Sequence, residues 1–139
     1  MRIVLDTNVV LSALLWRGTP FQLLTAIRQQ PGVQLNSSTA LLDELADALT
    51  RPSATKRLAA IGKTARDVLS DYVEAVELVE PTTFPRLVPA DPDDDQAIAA
   101  ALTAHADPIV SGDSDLLGIA SFESIAIVTA VQAVQRIGR

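Results

Sequence analysis

Short, largely apolar runs along this chain alternate with longer stretches in which apolar residues return every three or four positions. Ile3-Val4-Leu5, Val33 to Leu35, Pro108-Ile109-Val110 and Ile125 to Val128 read as strands, most of them buried on both faces. Between them the helical period runs through Val9 to Leu15, Thr19 to Arg28, Thr55 to Ile61 and Thr64 to Glu80, then through Asp91 to Ala104, Ser114 to Ile119 and Val131 to Arg136. Thr19 as a cap with Pro20 in the first turn starts one of these helices. Asn36-Ser37-Ser38-Thr39 supplies caps for another, which carries Leu41, Leu42, Leu45, Ala48 and Leu49 and ends before Arg51-Pro52. Pro81, Pro85 and Pro89 mark an irregular connector. Strands that alternate with helices predict one α/β domain over residues 1–139, with a central, mostly parallel sheet flanked by helices.

Composition sharpens this picture in three places. Aromatic residues are only 4% of the chain, so its core must be aliphatic. Cysteine is absent, which removes disulfides and thiolate metal sites and fits a reducing compartment. The chain enters a strand within three residues without a basic and apolar leader, and no apolar run approaches the ~18 residues that span a bilayer, so a soluble cytoplasmic protein is expected. The net charge of −6 argues against nucleic-acid binding through bulk charge.

The chemistry is concentrated in acids that interrupt apolar structure. In "IVLDTNVV" Asp6 follows a buried strand and precedes Val9-Val10-Leu11, and a carboxylate so placed is costly unless something compensates it. Asp113 follows a second strand in "PIVSGDSDLL". Either acid alone is explained as a helix cap, yet the carboxyl ends of parallel strands are also where ligands bind. On the helix "STALLDELADALT", Asp43 and Asp47 project away from the leucine stripe while Glu44 lies at its border. In "DPDDDQAIAAAL", Asp95 is three before Ile98 and seven before Leu102, on the apolar side; Asp94 also leans inward and Asp93 points out. The helix dipole explains an acid run in a first turn, and Asp95 is the member it explains least well. If the four inner acids converge, their mutual repulsion calls for a divalent cation, and an all-oxygen donor set suits Mg²⁺ or Mn²⁺.

Taken together, "LDTNVVLSALL", "LLDELADAL", "DPDDDQAIAAAL" and "PIVSGDSDLL" resemble, in order, the four acidic motifs of the PIN domain, the fold of many metal-dependent ribonucleases. In detail the chain is similar to a bacterial subgroup of toxin components from toxin–antitoxin pairs. The resemblance implies metal-binding acids at Asp6, Glu44, Asp95 and Asp113, with Asp115 as an additional or alternative ligand and Asp94 as a weaker one. Asn8 and Ser111 match polar positions that line such sites, where they would orient Asp6 or a bound water or satisfy turn backbone. The activity implied is hydrolysis of RNA phosphodiester bonds by metal-activated water. The lone histidine, His105, stands about 15 Å along the helix axis from Asp95, too far for a general base there.

An acidic protein must still attract a polyanion. Residues 51 to 66, "RPSATKRLAAIGKTAR", hold Arg51, Lys56, Arg57, Lys63 and Arg66, five of the eleven basic residues, without one acid. They form either a solvated hairpin or a basic rim that guides RNA, which Arg17 would join. Two rival functions are open to the same residues. Phosphotransferases of the haloacid-dehalogenase type also begin with an Asp after the first strand, but they need a second Asp where this chain has Asn8. A PIN-like module that binds protein or RNA with little catalysis is the stronger rival. A toxin would need an antitoxin partner; that partner, or a second copy in a homodimer, would dock on the apolar side of Val9 to Trp16 or of Thr19 to Arg28.

Overall fold

The computed structural model describes residues 1–81 and 92–137, except for the side chains of residues 92–95. Among the described residues the order of elements is β1 (Arg2–Leu5), α1 (Thr7–Leu15), α2 (Thr19–Gln29), β2 (Gln34–Ser37), α3 (Thr39–Ala48), α4 (Pro52–Ile61) and α5 (Ala65–Ala75). It continues with β3 (Glu77–Leu78), α6 (Pro92–Ala104), β4 (Ile109–Val110), α7 (Ser114–Ile119), β5 (Ser121–Phe122), β6 (Ile125–Val128) and α8 (Ala130–Ile137). The strands form one sheet in the order β3-β2-β1-β4-β6-β5, parallel at every junction except β5–β6. The expected α/β architecture with a mostly parallel sheet is therefore what the chain adopts.

Alternation along the strands divides the core in two. Ile3, Leu5, Val110 and Val128 face the layer built by α1, α2, α3, α5 and α8, where Leu23, Ile27, Leu45 and Tyr72 are buried. Val4, Ile109 and Ile127 face α6 and α7. On α6 the buried stripe is Ala97, Ala100, Ala101 and Ala104 around Ile98, spaced at helical intervals. Small side chains there let the helix backbone lie close against β1, β2 and β4. Among the described residues no helix is long and apolar enough to cross a membrane.

Local chemistry sets the boundaries. Ser38 caps α3 by accepting from Leu41 N at 3.2 Å. Thr64 and Asp67 close a reciprocal capping box on α5. Gly62 ends α4 at φ 69°, a conformation other residues adopt only with strain.

Several expectations are corrected. The cap of α2 is Gly18, which places Thr19 and Pro20 inside the first turn. Pro52 opens α4 three residues before the expected start. The helix expected from Thr64 to Glu80 stops at Ala75, and Glu77–Leu78 instead pairs with the open edge of β2, continued by Val79 N donating to Ser37 O at 2.9 Å. Strand β2 extends through Asn36 and Ser37, which the sequence offers as capping residues of the next helix, and Ser38 alone is the cap. The connector with Pro85 and Pro89, and the cap Asp91, lie outside the described residues.

Candidate active site

Strand β1 lies between β2 and β4, so the chain builds outward on one side and then returns to the other. That reversal opens a crevice at the carboxyl ends of β1 and β4, the position at which open parallel sheets bind ligands. Val4 is in register with Ile109 and Leu5 with Val110, which brings the following residues, Asp6 and Ser111, side by side. Each is fastened by the neighbouring strand: Asp6 N donates to Val110 O and Ser111 N to Val128 O, both at 2.9 Å.

The compensation of Asp6 is built from this adjacency. Its side chain is only 5% exposed, so each oxygen needs a donor. Oδ1 accepts from Thr7 N at 2.9 Å, which makes Asp6 the cap of α1. Oδ2 accepts from Ser111 Oγ at 2.9 Å. The same hydroxyl oxygen accepts from Asp113 N at 2.9 Å and so draws the second acidic loop against the first. On the other flank, Thr7 Oγ1 donates to Glu44 Oε2 at 2.7 Å. An unbroken bonded path, Glu44–Thr7–Asp6–Ser111–Asp113, thus joins α3, α1, β1 and the loop after β4.

The candidates divide accordingly. Asp6 is linked to Glu44 through Thr7, and fully buried Ser111 ties it to the backbone of Asp113. Glu44 is half-buried while Asp43 and Asp47 are exposed, as their angles on the helix required. Asp113 caps α7 by accepting from Asp115 N at 2.7 Å; the Asp115 side chain, two residues on, is exposed. Asn8 is exposed at the mouth of a cavity that Ser111 also lines. The side chains of Asp94 and Asp95 lie outside the described residues, although their backbone is in the first turns of α6. Among the described residues no three His, Cys, Asp or Glu side chains are close enough to hold an ion on their own. Thr7 is the member that sequence reasoning missed; its signal was adjacency to Asp6 inside "LDTN".

The basic candidates stand elsewhere on the surface. Arg57 is half-buried at the far end of α1: its Nε donates to Leu15 O at 2.7 Å and its guanidinium lies 5.9 Å from the Trp16 ring. Arg17 lies 4.9 Å from the centroid of Phe21. Arg51, Lys56, Lys63 and Arg66 are exposed. His105 is exposed just past α6, with φ 54°, in the connection that leads into the amino end of β4, whereas Asp6 and Ser111 follow the carboxyl ends of β1 and β4.

The sequence of residues 2–115 matches the family model of the PIN domain. This chain belongs to the PIN-domain family. The match includes all of the acidic motifs. This PIN domain also shares its fold with VapBC2 from Rickettsia felis, whose crystal structure is bound to a DNA fragment from their promoter; identity is 12%, with 93% of this chain and 98% of that chain covered and a TM-score of 0.62. VapBC-1 from nontypeable Haemophilus influenzae is similar at 15% identity, 94% and 99% coverage and a TM-score of 0.59. At such identities the likeness is one of fold. Comparison with curated proteins gives no match.

Proposed function

We propose that this PIN domain is a metal-dependent endoribonuclease that hydrolyses RNA phosphodiester bonds, and that it serves as the toxin of a toxin–antitoxin pair. The observation that carries the reading is the bonded path Glu44–Thr7–Asp6–Ser111–Asp113 at the switch point of the sheet. A structural role for Asp6 alone would need only its helix cap; it would not need two further acids tied to it from distant parts of the chain.

The donor chemistry fits a hard divalent cation, since every side-chain group on the path, carboxylate or hydroxyl, presents oxygen. Asp6, Glu44, Asp95 and Asp113 would hold Mg²⁺ or Mn²⁺, with Asp115 as a further ligand from the same loop. When bound, such an ion acidifies a water and offsets charge that develops on the phosphate and leaving oxygen. The chain's own residues supply the positioning. Thr7 and Ser111 each present a hydroxyl to one carboxylate and thereby fix the direction of its remaining lone pairs. Exposed Asn8 stands at the rim, where incoming RNA would meet it. The antitoxin partner is supported by the toxin-like sequence motifs and by the VapBC structures among the fold neighbours.

The reading is tested with defined single-stranded RNAs in Mg²⁺, Mn²⁺ or EDTA. Cleavage is expected with either ion, is abolished by EDTA and returns when the ion is restored. A protein that cuts none of these RNAs with either ion would overturn it. The basic rim has its own test. Arg57 is committed to Leu15 O and Trp16, so exposed Lys56 is the cleaner probe. Lys56→Ala should weaken RNA binding for all sequences alike and reduce the slope of log K against log salt by roughly one. A slope equal to the wild type's removes the rim from substrate binding.

A further inference from the structure

A cavity of about 350 Å³ opens directly beside the carboxylates, and Ser111 belongs to both. It lies between the first turns of α1, the start of α2, the loop after β4, α7 and the start of α8. Its size is at the lower end of the ~300–1,000 Å³ typical of small-ligand sites.

The lining is specific in chemistry. Val9, Leu117 and Ala130 provide apolar walls, while Asn8, Ser12 and Thr129 provide polar groups around them. Among the described residues that line it, none carries a charge, so the cavity suits a neutral group better than an anion. Asn8 offers both a donor and an acceptor edge, and Ser12 a hydroxyl. The Thr129 hydroxyl oxygen accepts from Gln132 N at 3.2 Å, which leaves its proton to donate elsewhere. A neutral, flat molecule with apolar faces and hydrogen-bonding edges matches these walls. In single-stranded RNA that description belongs to an unstacked base, and proteins read such bases through their edges and faces.

We propose that this cavity accepts one unpaired nucleobase adjoining the phosphate at the carboxylates, and thereby gives the enzyme a nucleotide preference next to the cut. The inference rests on the ribonuclease reading for its consequence, but not for its binding event. Asn8, Ser12 and Thr129 read the edge of the base, and Ser111 fixes the distance from base to carboxylates.

Gly112 provides the means to close the cavity. Gly112 lines the cavity, a Cβ built there would meet nothing within 4 Å and its φ is outside the left-handed region, so Gly112→Val adds bulk at the cavity rim. Ser12→Ala removes one hydroxyl and adds no bulk. Two measurements are made on the full chain. In the first, isotope-labelled protein is titrated with adenosine, guanosine, cytidine and uridine, and amide shifts are followed by NMR. Saturable shifts at Asn8, Gly112 and Thr129 are expected, with one nucleoside preferred, and Gly112→Val should weaken that nucleoside roughly tenfold. In the second, a randomised RNA is cleaved and the new ends are sequenced. The wild type should favour one nucleotide beside the cut, and both variants should flatten that bias.

Absence of shifts with all four nucleosides overturns the proposal, as do two variants that match the wild type in both measurements; the cavity would then be left to a protein side chain. Uniform ends from an active wild type overturn it while the ribonuclease reading stands. Nucleoside shifts at these residues without cleavage of any RNA retain the base site and remove the ribonuclease reading.

Discussion

Asp6→Asn is expected to lower RNA cleavage by at least about 10²-fold, the scale on which loss of one preorganised charged or polar group acts in a transition state. The protein should nevertheless fold as before. Asparagine keeps an oxygen that can accept from Thr7 N, and its amide can donate to Ser111 Oγ in place of the bond that the carboxylate received. The α1 cap and the junction between β1 and β4 therefore survive, and removing one negative charge from a path that also carries Glu44 and Asp113 should relieve repulsion. Thermal unfolding should show a Tm equal to the wild type's or slightly higher. The two measurements together separate function from structure: loss of activity with a retained Tm assigns Asp6 to the chemistry. Activity within a few-fold of wild type would remove Asp6 from the site, and with it the centre of the bonded path. Asp43→Asn on the outer face of α3 serves as the control, because its side chain is exposed and belongs to no part of the path.

How far this site was legible before the fold was known can be followed residue by residue. Asp6 and Asp113 stood out because charges beside buried strands are costly, and the structure joins their loops through one buried serine. Glu44 was separated from Asp43 and Asp47 by angle alone, and its partial burial agrees with that geometry. Helix α7 and strand β6 have the bounds that their apolar patterns predicted, Ser114–Ile119 and Ile125–Val128. Thr7 offered only its place beside Asp6 in "LDTN"; that its hydroxyl meets a carboxylate thirty-seven residues away is not written in the linear pattern.

The elements that escaped prediction share a cause. Strands β3 and β5 are two residues long, too short to display a period, and each exists because a neighbour offers an open edge. The hairpin β5–β6 turns through Glu123 and Ser124, both at positive φ (46° and 70°). Such two-residue turns usually announce themselves with Asn-Gly or Gly, and this one does not. Arg57 illustrates the same limit on the functional side. Its place in a basic run suggested RNA, while the fold uses it to hold the carbonyl of Leu15 and the face of Trp16. Composition exposes charge but not its commitments.

The largest effect on stability should come from the helix that delivers Glu44. Leu45→Ala is expected to destabilise the protein by about 2–5 kcal/mol, from lost transfer free energy and from the cavity left behind. Leu45 is 1% exposed and packs in the same cluster as Ile3, Leu5 and Tyr72, so its site is walled by the sheet and by α5 and has little freedom to collapse. Urea unfolding should show a lower midpoint with an unchanged slope. Asp43→Ala, on the solvent side of the same helix, should stay within about 0.5 kcal/mol of the wild type. Activity provides the second half of the argument. Leu45 is the residue after Glu44, and the 2.7 Å bond from Thr7 depends on the seating of α3 against α1. If core packing fixes the carboxylate, Leu45→Ala should lose cleavage activity well below its unfolding temperature, where the protein is still folded. Should activity instead follow the folded fraction alone, α3 would be positioned by its Ser38 cap and its remaining contacts, and Leu45 would serve stability only.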